Sequence, residues 1–162
     1  MRGTEKLDEV DHKILAELIK NARVSYRELA KKLGLSVATV AYRVTKLQKS
    51  GLIKGFTTLI NYEEMGYEIT AIIKLVIKEG RLLEVQREIA AEKNVVAVYD
   101  VTGEVDSIVI CRFKDRQEMS AFIKRILKMP YVERSSTHVV LEVVKEDLNS
   151  LFTSEENKAD GW

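Results

Sequence analysis

The chain has 162 residues, 46% of them hydrophobic and 31% charged, and a formal net charge of +1. This composition excludes a disordered chain, and the length holds one full-size domain or two small ones. The single cysteine, Cys111, excludes an internal disulfide and a zinc site built on several thiolates, while Lys74 and Lys78 cut the most apolar stretch short of the ~20 residues a membrane helix needs.

The small net charge hides a division. Residues 1–62 hold 12 Lys/Arg and 6 Asp/Glu, whereas residues 63–162 hold 14 and 19. A basic first third joined to an acidic remainder points to a polyanion-binding module followed by a second domain. The segment Met1 to Asp11 is charged and has no apolar run, so it does not read as a secretory signal, and a cytoplasmic location is expected.

From Asp8 to Lys20, Val10, Ile14, Leu15, Leu18 and Ile19 recur at helical offsets. Ser25-Tyr26-Arg27-Glu28 has the spacing of a capping box, in which the Ser hydroxyl accepts the N3 amide and the Glu reaches back to the cap. Leu29, Ala30 and Leu33 continue as a short buried stripe, and Gly34 fits the left-handed residue that ends such a helix. Ser36 is the next N-cap, and a third helix runs to about Ser50.

Two helices about a Gly-containing turn form a helix-turn-helix unit. On the third helix Val40, Val44 and Leu47 face the core. Ala38, Tyr42, Thr45 and Lys49 fall on the opposite side, and Thr39, Arg43 and Lys46 line one flank. Small residues that approach a groove floor, beside Arg, Lys and Tyr that reach bases and phosphates, make this the face of a DNA-reading helix. Ser36, with the amides at the helix start, can hold a phosphate. The bland alternative is a solvated face opposite an apolar stripe. Leu52 to Ile60 is β-rich, with Lys54 and Gly55 placed as the tip of a wing or as part of an arm leaving the domain.

The remainder reads as strand Ile69–Ile77, helix Arg81–Lys93, strand Val95–Thr102, turn Gly103–Asp106, strand Ser107–Phe113, helix Gln117–Met129 and a long strand Val132–Val144. The order β-α-β-β-α-β is the ferredoxin-like split unit. Right-handed crossovers put both helices on one sheet face. The other face should be polar in a solitary domain, yet both faces are apolar: Ile69, Ala71, Ile73, Leu75 and Ile77 oppose Ile72 and Val76, and Val109, Cys111 and Phe113 oppose Ile108 and Ile110. A sheet apolar on both sides implies burial against another chain, and a homodimer through sheet faces is expected. The alternative, burial against the N-terminal domain, is weaker because that domain must keep its recognition face free.

Leu35-Ser36-Val37-Ala38-Thr39-Val40, Arg43-Val44, Leu47 and Gly51-Leu52-Ile53, followed by this domain order, resemble the Lrp/AsnC (feast/famine) transcription regulators. The second half resembles their ligand-sensing RAM domain. Thr102-Gly103-Glu104-Val105-Asp106 matches the family's strand-turn-strand motif, and Arg134-Ser135-Ser136-Thr137 with Leu141 matches the pattern near the final strand. Ser135 stands where the family often has Thr. The likeness covers about Leu7 to Leu148.

The resemblance implies an α+β chain in four parts. Residues 1–52 form a winged helix-turn-helix of three helices, 53–67 a β arm or linker, 68–150 a ferredoxin-like βαββαβ RAM domain, and 151–162 a disordered tail. Its DNA-binding residues are then Ser36, Ala38, Thr39, Tyr42, Arg43, Lys46 and Lys49. An amino acid or similar effector would sit between dimers on Thr102, Gly103, Glu104, Asp106, Ser135 and Thr137. The Gly amide can meet a carboxylate, Asp106 can pair with an α-ammonium, and the hydroxyls can add hydrogen bonds. Gly103 and Asp106 would equally make an ordinary hairpin turn.

Expected partners are double-stranded DNA, further copies of the chain up to an octamer, and the small effector, with no membrane, metal or cofactor. The expected setting is the cytoplasm, at the nucleoid. No phosphate loop, nucleophile elbow or metal-ligand cluster stands out in the sequence. Two alternatives are a haem-precursor decarboxylase of the same architecture and an effector-independent nucleoid architectural protein. The first needs a tetrapyrrole pocket, which the two histidines, His12 and His138, support thinly.

Overall fold

The computed structural model describes residues 7–78 and 80–152. These form two compact units, one of residues 7–59 together with 145–152, the other of residues 60–144.

The first unit holds helices α1 (Glu9–Lys20), α2 (Tyr26–Leu33) and α3 (Val37–Lys49). Each starts at a side chain that accepts an orphan amide: Asp8 from Asp11 N–H, Ser25 from Glu28 N–H and Ser36 from Thr39 N–H. Asp8 with Asp11 and Ser25 with Glu28 are complete capping boxes. Gly34 closes α2 at φ +66°, a conformation that strains any residue with a Cβ. Ile14, Leu15 and Leu18 of α1, Leu29 and Ala30 of α2, and Val40, Val44 and Leu47 of α3 form one apolar core. Lys32 of α2 reaches Glu17 of α1 at 2.6 Å.

Phe152 packs against this core, and its ring stacks on His12 with centroids 5.7 Å apart. Leu151 and Phe152 were expected in a disordered tail, but both lie in a helical turn. The rest of that expected tail, 153–162, lies outside the described residues.

The second unit contains β1 (Ile69–Ile77), α4 (Leu82–Ala90), β2 (Val95–Asp100), β3 (Ser107–Phe113), α5 (Arg116–Ile126) and β4 (Val132–Val139). The sheet is antiparallel in the order β2-β3-β1-β4, the split βαβ arrangement. Ala71, Ile73, Leu75 and Ile77 of β1, with Val109, Cys111 and Phe113 of β3, are buried with Val85 and Ile89 of α4 and Phe122 and Ile126 of α5. Burial pushes the Cys111 thiol up to about 12, which keeps it protonated and inert.

Strict alternation leaves Ile72, Lys74, Val76, Ile108 and Ile110 half-buried on the opposite face. Tyr99, opposite Ile108 in the register, is exposed there.

Two expected strands do not form as read. Leu52–Ile60 pairs with nothing among the described residues, and no wing hairpin forms at Lys54-Gly55. Leu59 is 90% exposed. The final strand stops at Val139 rather than Val144. Only Val140 N–H continues the ladder, donating to Thr70 O at 2.9 Å. The cause is shared: β-branched sequence favours extended backbone, but a strand requires a neighbour to take its amides and carbonyls. β1 starts at Ile69, so the last strand runs past the end of its partner.

Candidate nucleic-acid interface and effector site

Burial of Val40, Val44 and Leu47 fixes which side of α3 faces outward. Ala38, Thr45 and Lys49 are exposed, and Tyr42 is 70% exposed. Val37, also exposed at the helix start, extends this face and offers a methyl surface that the sequence pattern did not single out. Lys46 and Thr39 are half-buried on the flank. Ser36 is exposed, but its hydroxyl is occupied, accepting Thr39 N–H at 3.0 Å and lying 2.8 Å from Thr39 Oγ1. Any anion at this terminus would therefore meet the amides of Val37 and Ala38, with the positive end of the helix dipole behind them. On α2, Arg27 and Lys31 are both exposed and one turn apart, which extends the basic surface of the unit.

Arg43 departs from the expectation of a DNA contact. Its Nη1 donates to Asp8 Oδ2 at 2.6 Å and to Asp11 Oδ1 at 2.9 Å. The guanidinium is thus held against the first turn of α1, and Arg43 is not carried forward as a base reader. Hydrogen bonding to Arg43 and to the Asp11 amide holds the Asp8 carboxyl below its usual range, and Asp8, then Asp11, raise Arg43 in turn. Glu28 is lowered by the Ser25 amide and hydroxyl, and Glu17 by Lys32.

A carboxyl depressed in the folded state stabilises above its unfolded value and loses that contribution as pH falls through its folded value. The ordinary values here are 3.8 for Asp and 4.5 for Glu. The melting temperature of the helical unit should therefore be flat above about pH 5 and fall progressively below pH 4.5. Thermal melts followed by circular dichroism across that range check this, and a midpoint unchanged down to pH 3 contradicts it.

In the second unit the β2–β3 connection places Thr102, Gly103 and Glu104 at an exposed tip. Gly103 has φ +125°, which again demands glycine. The loop is closed by Val101 N–H on Asp106 O at 3.2 Å. Asp106 departs from the expectation of a carboxylate held for an α-ammonium: its Oδ2 accepts Ile77 N–H at 2.8 Å, just beyond the last β1–β3 pair. The β1–β3 ladder ends at Leu75 and Ser107, so the carboxylate takes the Ile77 amide just past that end, and Asp106 N–H donates to Leu75 O at 2.9 Å. One carboxylate oxygen is thereby committed to the fold.

Ser135 lies opposite Leu75, and Thr137 opposite Ile73, both half-buried on β4. Leu75 also faces Ser107, beside Asp106, on its other side. The loop and Ser135 therefore flank the end of β1 two strand spacings apart, roughly 10 Å. Thr137 sits one further pair down the ladder. Among the described residues no cluster of three or more His, Cys, Asp or Glu could hold a metal ion.

Comparison with known proteins places each half. A winged helix-turn-helix DNA-binding family model matches residues 7–54, and an Lrp/AsnC ligand binding domain model matches residues 70–149. An HTH-type transcriptional regulator of Pyrococcus abyssi is 51% identical over 87% of this chain and 96% of its own length. The HTH-type transcriptional regulator FL11 of Pyrococcus furiosus is 38% identical over 90% and 95%. A solved Neisseria meningitidis transcriptional regulator in complex with L-Met superposes with a TM-score of 0.81 at 25% identity, over 90% of this chain and 99% of that one.

Proposed function

We propose, from the premise that this chain belongs to the Lrp/AsnC family of transcriptional regulators, that a dimer presents two copies of α3 to successive major grooves, and that an amino acid bound between dimers shifts the assembly and thereby the DNA sites engaged. The chain is a transcriptional regulator with a DNA-binding helix-turn-helix region and a ligand-binding domain. Its named relatives are regulators, and the decarboxylase alternative is set aside.

The observation that carries the DNA half is the outward face of α3: Ala38, Tyr42 and Lys49 stand clear of the core on a helix whose N-terminus has amides to offer. Ala38 and Val37 suit a groove floor, Tyr42 reaches base edges, and Lys46 and Lys49 neutralise phosphates. Ser36 and Thr39 act through the shape of the helix start. The working division is a DNA-binding module over 1–52, an arm over 53–67 and a sensor over 68–144, short of the expected 150 because residues 145–152 belong to the helical unit.

The apolar sheet face of Ile72, Val76, Ile108 and Ile110 supports pairing with a second copy, and larger assemblies up to an octamer extend from that dimer. The protein works in the cytoplasm, on nucleoid DNA. Among the described residues no helix is long and apolar enough to cross a membrane.

For the effector, the L-Met complex of the Neisseria protein favours an amino acid as the ligand class. Thr102, Gly103, Glu104, Ser135 and Thr137 supply the contacts, and Asp106 holds the loop while offering its second oxygen. The test combines light scattering, titration of duplex DNA against salt, and a thermal-shift panel of the twenty amino acids. Association, a steep fall of DNA affinity with salt, and one or a few stabilising amino acids are expected. A monomer that ignores duplex DNA at low salt overturns the reading.

Asp106 separates the two roles of its site. Asp106→Ala leaves Ile77 N–H without its acceptor and should destabilise the sensor by about 1–3 kcal/mol. Asp106→Asn keeps an acceptor and removes the charge. It should retain the fold but lose the amino-acid shift, and a full shift in the Asn variant refutes an ammonium contact.

A further inference from the structure

We propose that Arg43 is a positioning residue for DNA recognition: held between Asp8 and Asp11, it fixes the rotation of α3 and so determines which side chains meet the groove. The proposal rests on the reading of α3 as the groove-entering helix. It goes beyond that reading by assigning the setting of the helix to a polar device on its inner flank.

Apolar packing alone sets rotation weakly. Val40, Val44 and Leu47 meet Ile14, Leu18 and Leu29 through contacts that have no preferred direction. A helix with side chains is about 10–12 Å across, so a roll of about 20° carries its rim about 2 Å. That displacement breaks a hydrogen bond to a base edge, which tolerates only a few tenths of an ångström. Selective recognition therefore needs a directional restraint.

The first turn of α1 supplies one. Asp8 uses Oδ1 to accept Asp11 N–H at 2.8 Å and Oδ2 to accept Arg43. Asp11 uses Oδ2 to accept Asp8 N–H at 3.3 Å and Oδ1 to accept Arg43. Each carboxylate thus gives one oxygen to the α1 capping box and the other to α3. The receptor is already rigid when the guanidinium arrives, and Asp11 is only 4% exposed. Arg43 is the seventh of thirteen residues in α3, so the restraint acts at the middle of the helix. Two acidic groups here also oppose DNA binding by charge alone, which makes the sign of their effect decisive.

The experiment uses the full chain and a duplex selected by the wild-type protein from a random library, with a shuffled duplex of the same composition as reference. In the double variant Asp8→Asn/Asp11→Asn the amide oxygens keep the cap, since Asn caps as well as Asp, while the charged clamp is lost. Affinity for the selected duplex should fall about tenfold or more, comparable to misplacing one base contact, while affinity for the shuffled duplex holds or rises. Arg43→Ala should give the same selective loss, and combining it with the double variant should add nothing further. Circular dichroism at the assay temperature confirms a folded helical unit.

The proposal is overturned if the double variant binds the selected duplex as tightly as wild type or tighter, because removing two negative charges would then be the whole effect. If the double variant fails to fold, Asp8→Asn alone is measured, and unchanged selectivity overturns the proposal. A wild-type protein that selects no sequence overturns the groove reading itself, and the clamp with it, a result distinct from selective loss in the variants.

Discussion

Phe122→Ala should lower the stability of the sheet-containing unit by about 3–5 kcal/mol, the range for emptying a buried aromatic site. Phe122 is 1% exposed, and its ring lies 5.2 Å from that of Phe113 at an interplanar angle of 58°. The pair joins α5 to the C-terminal end of β3, so truncation removes apolar area and an aromatic contact together. Chemical denaturation should show an earlier midpoint for this unit, and a loss below about 1 kcal/mol would mean that neighbours collapse into the space. The helical unit has its own core and should keep its transition. If assembly runs through the sheet, the variant should also be smaller by light scattering and bind duplex DNA weakly, because each protein particle then presents one reading helix instead of two.

Ala38→Glu should abolish measurable duplex binding at moderate salt, a loss of at least about 100-fold, because it sets a carboxylate against phosphates and base acceptors where a like charge costs several kcal/mol. Ala38 is exposed on α3, two residues past the Ser36 cap. A carboxylate in a first helical turn interacts favourably with the helix dipole, so thermal stability should hold or rise slightly. Opposite signs on binding and stability separate a groove-facing residue from a merely solvated one. Anisotropy titrations and thermal melts decide the matter, and unchanged affinity would move the DNA contact to another face.

Features written in local spacing were legible in the sequence. Ser25 and Glu28 lie three residues apart and cap each other, and Gly34 ends its helix in the left-handed form. Alternation along Ile69–Ile77 and Ser107–Phe113 separated the two sheet faces, and the burial of Ile73 and Val109 shows which one meets the helices. The features that failed depend on partners distant in the chain. Leu52–Ile60 and Leu141–Val144 carry the composition of strands but have no ladder to join among the described residues. Arg43 lies 32 residues from Asp11 and 35 from Asp8, and nothing in the spacing of α3 distinguishes a residue aimed at DNA from one aimed at α1. The capping role of Asp8 was the one available signal that a fixed carboxylate stood nearby. Asp106 shows the same ambiguity, since its bond to Ile77 depends on where the β1–β3 ladder ends, which is visible only once those strands are paired.

Phe152 is translated after the whole sensor, yet it packs with helices made before the sensor. The head domain is therefore discontinuous in the gene, interrupted by the sensor. Nascent helices leaving the ribosome can collapse around Ile14, Leu29 and Val44, but His12 must wait for its stacking partner until the sensor has emerged. Maturation of the regulator is thereby ordered in time, with an aromatic plug arriving only after the sensor is made.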